Sequence, residues 1–249
     1  MPLRPSRPLA PAAVLALSLA AGCTTVGGSA DRAGPTRELS AGELRAAAVA
    51  DADLGPGYTV TVMTPGHGEV GSGGARELSD VPACQPLLDA VTPAAGASPG
   101  PEGPYAETGL SVARAADPEG GVYGGLLAFR PGRAARLQAE LEKLFGPCAS
   151  FSSTAPPPPA DRSRKGIRTR HRLIRGDTPT PGGVDAATGF TLTSESGPVV
   201  LSQRAVVARV GQVLAVFTTV GVGAQPAAAP DERIVRQQAA KLRAAQAVR

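Results

Sequence analysis

The sequence predicts an α+β fold, in which one domain holds a mainly antiparallel, twisted sheet with helices packed on one face. Segments rich in β-branched residues and amphipathic segments follow one another in the order helix, strand, helix, strand pair, helix, several strands, helix. Short turns separate neighbouring strands, and such turns join antiparallel strands because a parallel pair needs a long crossover. Helices on one face would leave the other face free for a ligand or a partner.

The first residues have the composition of an export signal. Arg4 and Arg7 form a positive region without a nearby acidic residue, and residues 12–21 form an apolar run. A permanent membrane helix needs about 20 apolar residues, whereas the apolar part of a signal peptide needs only about 7–15. The run therefore indicates a cleaved signal rather than a membrane span.

The apolar run ends in Ala20-Ala21-Gly22-Cys23, which resembles the lipobox of bacterial prolipoproteins. Leucine is more common three residues before the cysteine, where this chain has Ala20. We expect residues 1–22 to be a lipoprotein signal peptide and Cys23 to carry the lipid. The alternative is an ordinary secreted protein cleaved near Ala21, which would leave Cys23 as a stray thiol.

The segment after the lipobox is rich in Gly, Ser, Thr and Ala and predicts a flexible tether over residues 23–39. Residues 40–249 would then form the folded domain. Two or three acyl chains anchor a protein firmly, whereas one chain binds a membrane only marginally. The expected location is the outer face of the cell membrane, with the lipid on Cys23 as the anchor.

Two cysteines remain if Cys23 carries a lipid. In an exported protein, a single remaining pair favours a disulfide, here between Cys84 and Cys148. It would close a loop of about 65 residues. The alternatives are two free thiols or a metal site, and the two histidines lack ligand spacing to either cysteine.

The first half of the domain begins with a predicted helix. Ser40 and Glu43 have the spacing of a capping box, which predicts that this helix runs to about Ala50. Alternating β-branched residues predict its strands, and Gly-containing segments predict its turns. The further elements of this half are the strand Tyr58–Met63, the helix 82–91, the strands 105–115 and 122–129, and the turn Asp117–Gly121 between these strands.

The second half begins with an amphipathic helix that leads to Cys148. Gly211 and Gln212 form the turn of the clearest hairpin, with glycine at the first position of a type II′ turn. A last helix follows Pro230. The apolar positions of the first helix are Ala134, Leu137, Leu141, Leu144 and Phe145, the strands are 166–174, 188–195, 199–210 and 213–220, and the face of the last helix is Ile234, Val235, Gln238, Leu242 and Ala245.

Four short features give the chain a resemblance to a known family. They are the segment Asp53-Leu54-Gly55-Pro56-Gly57-Tyr58, the helix with Cys84, the amphipathic helix before Cys148, and the hairpin Val210–Val213. The chain thus resembles actinobacterial envelope lipoproteins and the extracellular sensor domain of the PknH type of receptor kinase, over residues 40–249. The resemblance implies an antiparallel sheet with flanking helices, disulfides and an extracellular ligand. This chain lacks the family's usual second disulfide.

The composition excludes several function classes. Aromatic residues make up 3% of the chain and Trp is absent, which argues against stacking platforms for sugars or single-stranded nucleic acid. Without Arg4 and Arg7 the chain has 23 basic and 21 acidic residues, which is not the charge of a nucleic-acid-binding protein.

No catalytic or cofactor motif stands out. Gly66–Gly71 matches G-x-G-x-x-G, but the glycines after it cannot begin the helix that a dinucleotide site needs. His67 and His171 are the only histidines, no G-x-S-x-G motif is present, and both histidines are expected at the surface. We therefore expect no enzyme activity, cofactor or metal.

The positive charge is concentrated in residues 161–175, which contain seven basic residues and one acidic residue. If this segment forms a strand, Arg168, Arg170 and Arg172 lie on one face and His171 lies on the other. Three guanidinium groups on one face could bind phosphate or carboxylate groups of lipid headgroups or wall polymers. The alternative is an edge strand whose charges prevent aggregation.

These observations favour a non-catalytic, ligand-binding or sensor-like lipoprotein domain with an unknown small-molecule, lipid or wall-polymer ligand. One alternative is a structural lipoprotein that ties the membrane to the wall or to a protein partner. Another is a lipid carrier, which would need a cavity of several hundred Å³ lined by residues such as Leu126, Phe129 and Leu141.

Overall fold

The structure of the chain is a computed structural model. It describes residues 36–63, 77–91, 103–157, 166–177 and 180–247, without the side chains of residues 118 and 119. The predicted signal peptide, Cys23 and most of the predicted tether lie outside the described residues. The Gly66–Gly71 motif with His67 also lies outside them.

The described residues form one nine-stranded sheet in which every pair of neighbouring strands is antiparallel. The order of the strands across the sheet is β1-β3-β4-β9-β8-β7-β6-β5-β2. The strands are β1 (Tyr58–Met63), β2 (Leu78–Ser79), β3 (Ala106–Arg114), β4 (Asp117–Ala128), β5 (Ser150–Ala155), β6 (Ile167–Gly176), β7 (Ala186–Ser196), β8 (Val199–Val210) and β9 (Val213–Val222).

Five α-helices accompany the sheet in the described part of the chain. The predicted capping box is present at the first of them, where the Ser40 hydroxyl accepts from the Glu43 backbone N–H and the Glu43 carboxylate accepts from the Ser40 N–H. The helices are α1 (Ala41–Ala46), α2 (Asp51–Leu54), α3 (Gln85–Val91, after a 3₁₀ turn at Pro82–Cys84), α4 (Arg133–Lys143) and α5 (Glu232–Gln246).

The α+β class and the antiparallel sheet are confirmed, but three short elements are not predicted by the sequence: α2, β2 and β5. The turn between β3 and β4 also differs from the prediction, because β4 begins at Asp117 and the turn lies at residues 115 and 116. Gly211 has a φ of +57°, as the predicted turn between β8 and β9 requires of its first central residue.

The prediction that the helices pack on one face of the sheet is wrong, because they pack on both. Val206 and Phe217 face a core with α1, α2 and α5, whereas Val207 and Val216 face a separate core with α3 and α4. Successive residues of a strand point to opposite faces, so β8 and β9 contribute to both cores. We call the two sides the α5 face and the α4 face.

Gln238 occupies the centre of the core on the α5 face, although it is polar and fully buried. Its Oε1 accepts from the Val49 N–H at 3.0 Å, and its Nε2 donates to the Ala47 carbonyl at 2.7 Å. The amide thus satisfies two backbone groups of the segment that joins α1 to α2, which are otherwise cut off from water. This explains a glutamine on the apolar face of α5.

The core on the α4 face contains the disulfide between Cys84 and Cys148, whose Cα atoms lie 5.7 Å apart. Both cysteines are fully buried beside Leu87 and Phe190. The bond joins the turn before α3 to the segment after α4, so it holds together two parts of the chain that are 64 residues apart. Among the described residues, no helix is both long enough and apolar enough to cross a membrane.

Candidate anion-binding site

The three arginines predicted to share a face do so in β6. Arg168, Arg170 and Arg172 are exposed on the α5 face of the sheet, whereas His171 and Leu173 are buried on the α4 face. The alternation follows from the pleat of the strand. The structure therefore places all three guanidinium groups on one surface.

That surface is not covered by the helices of the α5 face. Their core takes residues from β1, β3, β4, β8 and β9, and within the described residues it takes none from β5, β6 or β7. Ile174, next on the same side of β6, is 50% exposed, which is consistent with an open face. The α5 face of β6 is thus exposed to solvent.

The three arginines differ in their ionic partners. Arg168 lies 3.5 Å from the Asp80 carboxylate and donates to the Ser152 hydroxyl at 3.4 Å. In the part of the chain that the structure describes, no carboxylate lies within 4.0 Å of the guanidinium of Arg170 or Arg172. Arg168 thus has an ionic partner, whereas Arg170 and Arg172 have none among the described residues.

A fourth arginine joins this surface from β8. Ile174 lies opposite Thr191 of β7, and Thr191 lies opposite Arg204 of β8. Arg204 therefore lies on the α5 face, where it is partly buried. No described carboxylate lies within ion-pair distance of it either. Glu195 lies opposite Arg170 on the same face but beyond 4.0 Å. We call Arg170, Arg172 and Arg204 the arginine surface.

The edge-strand explanation for these charges does not apply. β6 lies between β7 and β5, and β5 is followed by β2. Charges on an edge strand keep another chain from adding to the sheet, but an internal strand has no free edge over the length that its neighbours cover. The charges of the arginine surface thus need a different explanation.

His171 is buried, and the expectation that it lies at the surface is wrong. It is 3% exposed and its ring stacks on Phe151 at 4.8 Å. The same alternation that exposes its arginine neighbours turns His171 toward the other face of the sheet. His171 lies two residues before Leu173, so the two side chains share a face of the strand. This spacing was the sequence signal for the burial of His171.

The buried ring lies in a hydrogen-bond network of residues that sequence reasoning did not select. Its Nδ1 is 2.9 Å from the Ser194 hydroxyl, and its Nε2 is 2.5 Å from the Ser153 hydroxyl and 3.6 Å from the Glu77 carboxylate. Ser153 donates to Glu77. The network joins β5, β6 and β7 to Glu77, just before β2.

This network contains a serine, a histidine and an acid, the residue types of a hydrolase triad. Ser153 is fully buried and His171 nearly so, and a nucleophile must be reachable by its substrate. Both histidine nitrogens are also occupied by protein hydroxyls. The arrangement is suited to holding three strands in place.

The network makes the stability of the fold depend on pH. The nearby His171 ring, followed by the hydrogen bond from Ser153, holds the pKa of Glu77 below its ordinary 4.5 against the opposing effect of burial. A carboxyl whose pKa is lower in the folded state stabilises the fold above its unfolded pKa and loses this contribution as the pH falls through the folded pKa.

We expect Glu77→Gln to be less stable than the unmodified protein at neutral pH, with the difference shrinking as the pH falls below about 4.5. Urea denaturation at a series of pH values measures this. Glu140→Gln, at an exposed position on α4, is the matched control and should follow the unmodified protein at every pH. A constant difference between Glu77→Gln and the unmodified protein would contradict the prediction.

The lipid-carrier alternative predicted a cavity lined by residues such as Leu126, Phe129 and Leu141. Leu126 belongs to the core on the α5 face, whereas Phe129 and Leu141 belong to the core on the α4 face. The sheet separates them, so they cannot line one cavity. In the described ranges, no group of three or more His, Cys, Asp or Glu residues is placed to hold a metal ion.

The sequence matches no protein-family model and no curated protein. The structure is similar to the crystal structure of the extracellular domain of PknH from Mycobacterium tuberculosis, with a TM-score of 0.51 and 14% sequence identity. The similarity covers 84% of this chain and 97% of that one. At this identity it shows that the two chains share a fold.

Proposed function

We propose that this chain is a lipid-anchored, non-catalytic, sensor-like domain on the outer face of the cell membrane, and that it binds a phosphate-bearing anion on the arginine surface. The observation that carries the proposal is a set of guanidinium groups on the α5 face of β6 and β8 that have no carboxylate partner among the described residues. The fold shared with an extracellular domain and the lipobox-like segment at Cys23 support the location.

The arginine surface has the chemistry that a phosphate group requires. A guanidinium is charged at every physiological pH and presents several donors in a plane, which match two phosphate oxygens at once. Arg170 and Arg172 lie about 7 Å apart along β6, and Arg204 lies two strands away, about 10 Å. Such spacing suits several phosphate groups, as in a polymer or a layer of lipid headgroups.

We expect Arg170→Ala/Arg172→Ala to bind anionic vesicles about thirtyfold more weakly than the unmodified domain, because each basic group near an anionic surface contributes about 1 kcal/mol. Co-sedimentation with phosphatidylglycerol vesicles measures this, and a soluble glycerol-phosphate polymer tested by calorimetry distinguishes a wall polymer from a headgroup. Arg45→Ala/Arg236→Ala removes the same charge from exposed positions of α1 and α5. An equal loss in both double variants would show a general charge effect and contradict the proposal.

The anchor requires a separate test. In a host that processes lipoproteins, the full chain should incorporate labelled palmitate and remain with the membrane fraction. Cys23→Ser should lose the label, because the thiol that takes the lipid is absent. A Cys23→Ser protein that still incorporates labelled palmitate, or an unmodified protein that does not, would exclude this anchor.

A further inference from the structure

A small groove lies on the α4 face, between α4 and the paired ends of β7 and β8. Its volume is about 240 Å³, which is the space of roughly eight water molecules. It could hold an organic molecule of similar size. The residues that line it are Ala135, Gln138, Ala139, Glu142, Ala186, Ala187, Thr188 and Arg209, and we call it the alanine groove.

Gln138, which lines the alanine groove, has an unused hydrogen-bond acceptor. Its Nε2 donates to the Thr188 hydroxyl, which donates in turn to the Glu142 carboxylate at 2.5 Å. Because the hydroxyl has only one proton and the carboxylate only accepts, Gln138 must face Thr188 with its Nε2. Among the described residues its Oε1 has no hydrogen-bond partner, and the residue is only 5% exposed.

A buried carbonyl without a donor is unfavourable, and such groups mark places where a further molecule completes the structure. The alanine groove supplies the space for this molecule beside Gln138. A ligand with an N–H group would satisfy the Oε1 and fill the groove at the same time.

The two charged residues of the alanine groove have opposite signs and different positions along β7. Arg209 lies opposite Ala186, whereas Glu142 bonds to Thr188, two residues further on and about 7 Å away. Arg209 uses only one of its terminal nitrogens for Asp185, and each Glu142 oxygen accepts one bond, from Thr188 or from Arg175. Both groups therefore keep capacity for a ligand.

We propose that the alanine groove binds a free amino acid, or a zwitterion of the same size. Its ammonium group donates to the Gln138 Oε1 and the Glu142 carboxylate, and its carboxylate accepts from Arg209. The small side chains of Ala135, Ala139 and Ala186 leave room for a small apolar side chain. This site lies on the opposite face of the sheet from the arginine surface, so it does not depend on the proposed anion site.

The test uses the folded chain from residue 24 with valine, isovalerate and isobutylamine as probes, observed through backbone amide shifts in NMR titrations. Valine has both charged groups, and each of the other two lacks one of them. We expect saturable shifts in α4 and β7 with valine, and binding about tenfold weaker with either analogue, because each loses one charge-assisted interaction.

Ala139→Leu places a larger side chain in the groove from an exposed position of α4, so it should abolish binding without unfolding the protein. Ala244→Leu makes the same change at an exposed position of α5 and should bind valine normally. Gln138→Met keeps the length of the side chain, removes the acceptor, and should weaken binding. The proposal would be overturned if valine binding did not saturate, if all three probes bound equally, or if Ala139→Leu bound valine normally. An ordered water would then be the partner of Gln138.

Discussion

Replacing Cys84 and Cys148 together by alanine is expected to lower the free energy of unfolding by about 4 kcal/mol. The disulfide joins residues 64 positions apart, and without it the unfolded chain gains the conformational freedom of the whole intervening loop. The substitutions also remove two fully buried sulfur atoms from the core on the α4 face. Urea denaturation in a Cys23→Ser background measures the effect without interference from the third cysteine.

A reductant provides the control for this prediction. When a reductant is present, the free energy of unfolding of the protein with both cysteines should fall to that of the double variant. The double variant itself should not respond to the reductant. An unchanged urea midpoint after complete reduction would show that the bond contributes nothing to stability. A loss much larger than the entropic value would instead point to the lost packing around the two sulfurs.

Gln238→Leu is expected to destabilise the protein by about 3 kcal/mol, although it replaces a polar core residue by an apolar one of similar size. Without the amide, the Val49 N–H and the Ala47 carbonyl remain buried and unpaired, and each such group costs about 1–3 kcal/mol. Thermal or urea denaturation measures the change.

The neighbouring Gln237→Leu is the matched control, because Gln237 is only partly buried on α5. It should change the free energy of unfolding by about 0.5 kcal/mol or less. If Gln238→Leu were as stable as this control, the two hydrogen bonds at the segment between α1 and α2 would not support the fold. Hydrogen exchange at the Val49 amide provides a local readout, since loss of its acceptor should speed exchange there.

The strands with a strong β-branched pattern could be predicted from the sequence, whereas β5 could not. Its sequence Ser-Phe-Ser-Ser-Thr-Ala has the composition of a loop. It forms a strand because its backbone pairs with β6 and because the side chains of Phe151 and Ser153 are buried on the α4 face of the sheet. Such tertiary pairing outweighs a weak local preference.

The sequence also contained evidence that helices pack on both faces of the sheet, although the prediction placed them on one face. Residues 213–219 of β9 are buried without interruption, and a strand covered on one face would alternate instead. A continuous apolar run is typical of a strand between two layers. The run Val-Leu-Ala-Val-Phe was therefore evidence for helices on both faces.

The sequence by itself determined which side chains of β6 share a face, because the alternation of a strand is a property of its own backbone. Only the tertiary structure decided which face stays open, since that depends on where helices distant in the chain pack. It paired Arg168 with Asp80, placed Arg204 on the same face as Arg172 but two strands away, and brought the buried His171 close to Glu77. These contacts join residues far apart in the chain, and no local pattern specifies them.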